Sequence, residues 1–130
     1  NKEKIQHNHP DIAPSGASYS RTVRAGNLLF IAGCTARGTE AQGKDLMTQL
    51  RVTLDRIVRV VAAEGGTPGD IVKITTYVTS IEEWRNDTAA LDYLFAEFFK
   101  GAYPVNTLVE IGALAEPGLD VEIETIAELG

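Results

Sequence analysis

The chain has 130 residues, enough for a single hydrophobic core without metal or disulfide staples, and no shift in composition marks a second domain. Its 18 acidic and 12 basic residues leave a net charge of −6, so binding nucleic acid would need a local basic patch that the sequence does not show. The one cysteine, Cys34, excludes an intramolecular disulfide, and no apolar run approaches the roughly 20 residues of a membrane-spanning helix. The opening NKEKIQHNHP lacks the apolar core of a signal peptide. The expectation is one cytoplasmic domain over 1–130, with neither nucleic acid nor membrane as a partner.

Residues 1–14 are polar, hold Pro10 and Pro14, and show no periodicity, so they read as an N-terminal arm. His7 and His9 flank Asn8, but no Cys, Asp or Glu stands at a companion spacing, so the pair reads as solvated and no metal site is expected. From Ser18 the pattern alternates: Tyr19, Arg21 and Val23 share one face, and Ser20, Thr22 and Arg24 the other. Gly26-Asn27 turns the chain into the apolar run Leu28 to Ala32, making a hairpin whose second strand lies inside the sheet. The loop Gly33 to Gly43 then carries Cys34 and Arg37, and a loop leaving a central strand is a common seat for binding groups.

Helical spacing follows over Lys44 to Glu64, with Leu46, Leu50, Leu54, Ile57 and Val61 on one stripe and Gly65-Gly66 as the stop. Arg51, Arg56 and Arg59 lie off that stripe and read as a solvated face. Ile71 to Thr79 is dense in β-branched residues and predicts a strand. Ser80 and Glu83 predict a capping box for a second helix, which buries Trp84, Leu91, Phe95 and Phe98 and ends at Gly101. The closing stretch Tyr103 to Ala127 reads as two alternating strands about a Glu116-Pro117-Gly118 turn, a hairpin. Both of its faces mix apolar and polar residues, which fits a subunit interface. The element order is β-β-α-β-α-β-β, an α+β two-layer domain with two helices on one mixed sheet.

No phosphate-binding glycine loop is present, and both histidines lie in the arm. Cys34 reads as either a buried thiol or a pocket-lining one. Glu110, Glu122 and Glu124 stand on strands that are otherwise largely apolar, where a carboxylate must be exposed, paired or shifted in pKa.

Four fragments in order resemble the RidA/YjgF family, also named endoribonuclease L-PSP. They are Val23-Arg24-Ala25-Gly26-Asn27 with the apolar strand to Ala32-Gly33; Gly69-Asp70-Ile71-Val72-Lys73; Phe95-Ala96-Glu97-Phe98-Phe99; and Tyr103-Pro104 through Val121-Glu122-Ile123-Glu124-Thr125-Ile126-Ala127. The resemblance implies a chorismate-mutase-like fold and a homotrimer with small-molecule clefts between subunits. It also implies cofactor-free hydrolysis of reactive enamines and imines to a 2-oxo acid and ammonia. By the same resemblance Glu122 positions the attacking water, Tyr19 lines the cleft, and the Gly33 carbonyl faces the ligand, with Cys34 and Leu108 beside it.

The chain departs from the family pattern in two places. The arginine that grips the substrate carboxylate is replaced by Asn106, and the family's Ser-Gly-Gln is here Ala32-Gly33-Cys34. Losing the charged partner of a buried carboxylate costs on the order of 2–5 kcal/mol, so the expected substrate is an enamine, imine or related C–N compound other than the standard 2-imino acid. Arg21 and Arg37 either are surface arginines or bring a cation into the cleft, in which case Arg21→Ala would abolish binding of an acidic ligand. The alternatives are a trimer that binds a small molecule or protects proteins without chemistry, and a ribonuclease, which the acidic balance and the lack of a catalytic histidine oppose.

Overall fold

The computed structural model describes residues 3–130. Six strands, β1 (Lys4–His7), β2 (Thr22–Ala25), β3 (Leu28–Cys34), β4 (Ile71–Val78), β5 (Val105–Glu110) and β6 (Val121–Glu128), form one sheet in the order β1-β2-β3-β6-β4-β5. Among the described residues only β4 and β5 pair in parallel. Helices α1 (Leu46–Ala63), α2 (Ile81–Arg85) and α3 (Thr88–Phe99) complete the two layers. None of the helices is long and apolar enough to cross a membrane.

The helix over the forties to sixties forms as its spacing predicts. Asp45 caps it by accepting from the Thr48 amide at 2.9 Å, and Gly65 ends it at a φ of 93°. Its buried stripe meets Val121, Ile123 and Ala127 of β6 in the core. The second helical stretch is divided in two. Ser80 caps α2 through the Glu83 amide, but the Glu83 side chain turns away to accept from the Leu46 amide at 3.1 Å, so the reciprocal half of the capping box is absent. Asp87 then starts α3 by accepting from the Ala90 amide. The break rotates the buried stripe, so that Leu94 and Phe99 are fully buried while Trp84, Phe95 and Phe98 are partly so.

Two further expectations are corrected. The arm contributes a strand: β1 pairs with β2, and because all its residues are exposed, no alternation marked it in the sequence. Residues 1 and 2 of the arm lie outside the described residues. The closing stretch is not a hairpin, because β4 stands between β5 and β6 and pairs with both. The Pro117-Gly118 turn is real, with Gly118 at a φ of 82°, but it sits inside a connection over 111–120 that is too long for a tight hairpin loop. Gln49, fully buried on α1, holds that connection by donating to the Gly118 carbonyl and accepting from the Asp120 amide.

The alternation along β6 survives the change of partner. Val121, Ile123, Thr125 and Ala127 face the helices, and Glu122, Glu124, Ile126 and Glu128 face the opposite side. No helix among the described residues covers that second face. Leu28, Phe30, Val105 and Val109 are left exposed, and every residue of β5 is exposed as well.

Candidate functional site

The pairing of β3 with β6 shifts register between Ile31 and Cys34, which lifts Ala32 and Gly33 out of the regular ladder. A pocket of about 370 Å³ opens there, lined by Tyr19, Arg21, Gly33, Cys34 and Glu122 and by Arg37 and Arg56. The Glu122 side chain lies directly on Gly33: a Cβ at that position would stand 2.3 Å from Oε2. The carboxylate occupies the space of a side chain, so any residue larger than glycine there would displace it. Burial, and then the Glu124 charge, push the Glu122 carboxyl above the usual carboxylate range against the pull of Arg21 and Arg37.

Arg21 is buried, contrary to a surface reading. Its Nε donates to the Ala13 carbonyl at 2.9 Å, Nη2 to Pro14 at 2.9 Å, and Nη1 to Ala32 and Gly33 at 3.0 Å each. The guanidinium is therefore a clamp between the arm and the bulge, with the Tyr19 ring 5.6 Å below it. The Gly33 carbonyl, expected to face the ligand, accepts from this clamp.

Arg37 and Arg56 are less committed. Arg37 donates to the Pro14 carbonyl at 2.9 Å and lies 3.9 Å from Glu116, while Arg56 donates to the Thr35 carbonyl at 2.7 Å. Arg56 was expected on a solvated face, but it is half-buried and reaches the pocket. The signal was present in the sequence: Gln49, Thr53, Arg56 and Val60 follow one another at steps of four, three and four, so Arg56 continues a buried edge of α1. Cys34 is buried, and its thiol is pushed up chiefly by burial, with Arg21 and Arg56 pulling the other way. It is a protonated wall of the pocket.

Asn106 and Leu108 are not brought to Glu122 within one chain. Asn106 Oδ1 accepts from Thr76 Oγ1 at 2.9 Å on the helix side of β5, beside a separate cavity of about 590 Å³ that includes Trp84, Phe95 and Tyr103. Leu108 lies on the same strand, exposed, and lines neither cavity. Glu124 is bonded by the Tyr77 hydroxyl on the open face, and Glu110 accepts from the Ile81 amide at 2.9 Å.

The sequence pattern of the endoribonuclease L-PSP family matches residues 11–129. The chain belongs to the endoribonuclease L-PSP family. A RutC family protein of Pyrococcus horikoshii is 34% identical over 112 residues, which cover 84% of this chain and 85% of that protein. An Escherichia coli K12 protein bearing the provisional name reactive intermediate deaminase TdcF is 29% identical over 116 residues, 84% of each chain. Among solved structures, a YjgF/YER057c/UK114 family member from Mycobacterium tuberculosis superposes with a TM-score of 0.78 at 34% identity, covering 98% of this chain and all (100%) of that one. Yeast Mmf1 shares the fold at a TM-score of 0.85 and 18% identity, with 98% and 100% covered. The endoribonuclease L-PSP family is the RidA/YjgF family of the sequence fragments, and its α+β two-layer fold is the one built here.

Proposed function

We propose that this endoribonuclease L-PSP family member is a cofactor-free hydrolytic deaminase of a reactive enamine, imine or related C–N compound. The observation that carries the reading is Glu122, a carboxylate with raised pKa that lies on Gly33 in a pocket also lined by Arg21, Arg37 and Arg56. A protonated imine is already electrophilic at carbon, so hydrolysis needs a placed water and one group that takes and returns a proton. Water attacks the carbon and its proton passes to Glu122, forming a C–O bond. The resulting carbinolamine nitrogen takes that proton back, leaving Glu122 ionised; the C–N bond then breaks and ammonia leaves, while the hydroxyl proton passes to Glu122 as the carbonyl forms and is released to solvent. A carboxyl raised above its ordinary range is the stronger base for the first half of that cycle and still an acid for the second. The deaminase name of the Escherichia coli relative agrees with it.

In this reading three copies pack through the open sheet face, and the assembly brings Asn106 to a ligand cleft between subunits. The exposed apolar residues of that face and the exposed strand β5 support it, since such a patch is costly to leave in water. An amide at 106 offers neutral hydrogen bonds where arginine would offer a charged fork. The substrate is therefore an imine other than the simple 2-imino acid, and its anionic group, if it has one, meets Arg37 and Arg56. The test is a panel of imines generated in situ by amine and amino-acid oxidases, with carbonyl and ammonia release timed with and without the protein. Acceleration for imines lacking an α-carboxylate is expected. No acceleration with any imine, alongside a measurable ligand Kd, would favour a binding module instead.

A further inference from the structure

The arm histidines are not a solvated pair. Glu64, the capping residue of α1, is brought to them across 55 and 57 residues of sequence. His7 and His9 sit two apart on extended chain, which turns both rings the same way, and the fold of the helix end sends a carboxylate to meet them. Glu64 Oε2 lies 3.0 Å from His7 Nδ1 and 2.5 Å from His9 Nε2. Thr22 Oγ1 stands 3.2 Å from the same oxygen and steadies it. The Glu64 side chain is 3% exposed and that of His9 14%, while His7 is 52% exposed and leaves one side of the cluster open to solvent.

We infer that His7, His9 and Glu64 form a binding site for a divalent transition metal, of which zinc is the type. The three ligand atoms lie within 4.8 Å of one another. A tetrahedral zinc with ligands at about 2.0–2.2 Å holds neighbouring donors roughly 3–4 Å apart, so the cluster reaches that geometry by small side-chain rotations. Two imidazoles and one carboxylate are borderline donors that suit zinc, nickel or cobalt and not magnesium or calcium, and three protein ligands leave a fourth position for water. One partner would suffice for a lone buried carboxylate; the second imidazole adds a third donor atom close enough to share one ion.

The location gives the site a consequence. The His9 backbone carbonyl also accepts from the Ile12 and Ala13 amides, at 3.0 and 2.8 Å. The turn it closes delivers the Ala13 and Pro14 carbonyls to Arg21 and Arg37. A metal at the three ligands would therefore pin the arm to the end of α1 and stiffen one wall of the Glu122 pocket, without touching that pocket.

The test uses the untagged chain, stripped with a chelator and titrated with zinc chloride by calorimetry, with cobalt chloride as a spectroscopic probe. One saturable zinc per chain is expected, with a rise in Tm and four-coordinate cobalt absorption bands in the visible. His7→Ala and Glu64→Gln should each weaken zinc at least tenfold. His7 is half-exposed, so its variant should keep the wild-type circular dichroism and remain informative even if Glu64→Gln does not fold. Absence of saturable zinc binding to the wild type, or equal binding in the folded His7→Ala variant, would overturn the assignment.

Discussion

Glu122 rests on Gly33 so closely that a methyl carbon there would lie 2.3 Å from its Oε2 and 2.6 Å from its Cδ. The glycine is thus a steric condition for the position of the carboxylate. Gly33→Ala should push Glu122 aside, and displacements of about 1 Å at a reacting group can cost on the order of 100-fold in rate. Turnover of an imine substrate should fall by about that factor while the circular dichroism spectrum is unchanged. Wild-type kcat in Gly33→Ala would show that the contact does not position the carboxylate.

Arg21 has a structural role, which changes what its removal predicts. The backbone carbonyls of Ala13, Pro14, Ala32 and Gly33 all accept from it. Arg21→Ala would leave them without that donor, and an orphaned buried acceptor costs about 1–3 kcal/mol. With water entering from the pocket to satisfy some of them, the expected loss is roughly 2–3 kcal/mol, read from urea unfolding. Lysine should not rescue it, because one ammonium lacks the planar fork that spans both segments. A change under about 0.5 kcal/mol, with loss of acidic-ligand binding, would return Arg21 to the ligand-gripping role.

Much of this fold can be read in the residues, and the limits have physical causes. The stripe of α1, the Ser80 cap and the alternation of β6 are local patterns, set by side-chain period and backbone donors, and the chain states them directly. Which strand lies beside which is not local: β5 and β6 alternate as hairpin strands would, yet each pairs with β4. Alternation placed Arg21 beside Tyr19 but could not show that its guanidinium turns inward onto carbonyls. Tyr19, Gly33, Cys34 and Glu122 do share a pocket. Arg56 was hidden by its charge, although its helical position extends a buried edge. Glu64 was invisible to any spacing rule, because the fold alone brings it to His7 and His9.

Thr125 Oγ1 is buried among the described residues with no hydrogen-bond partner. Valine has the same branched shape without the hydroxyl, so Thr125→Val should stabilise the chain by about 1 kcal/mol. Chemical denaturation measures it directly. Destabilisation of similar size would mean the hydroxyl has a partner in solution, such as a bound water.

The raised carboxyl of Glu122 sets a pH signature. Its pKa is higher in the folded chain than in the unfolded one, so the folded state binds the proton more tightly and ionisation costs stability. Below the unfolded carboxylate value of about 4.3 both states are protonated and there is no penalty. As pH rises through the folded value the penalty develops in full. Glu122→Gln should therefore match the wild type near pH ~4 and be the more stable of the two near pH ~8, in urea unfolding across that range. A gap that opens in the opposite sense would mean the carboxylate is stabilised by the arginines around it.

The central claim is that Glu122 carries the proton in C–N hydrolysis. Its most direct test is the time course of carbonyl release from an oxidase-generated imine, with wild type and Glu122→Gln at equal concentration and matched circular dichroism. The account predicts that the variant loses about 10²–10⁴-fold of the acceleration, the usual contribution of a general acid–base group. Equal acceleration by both proteins would contradict it.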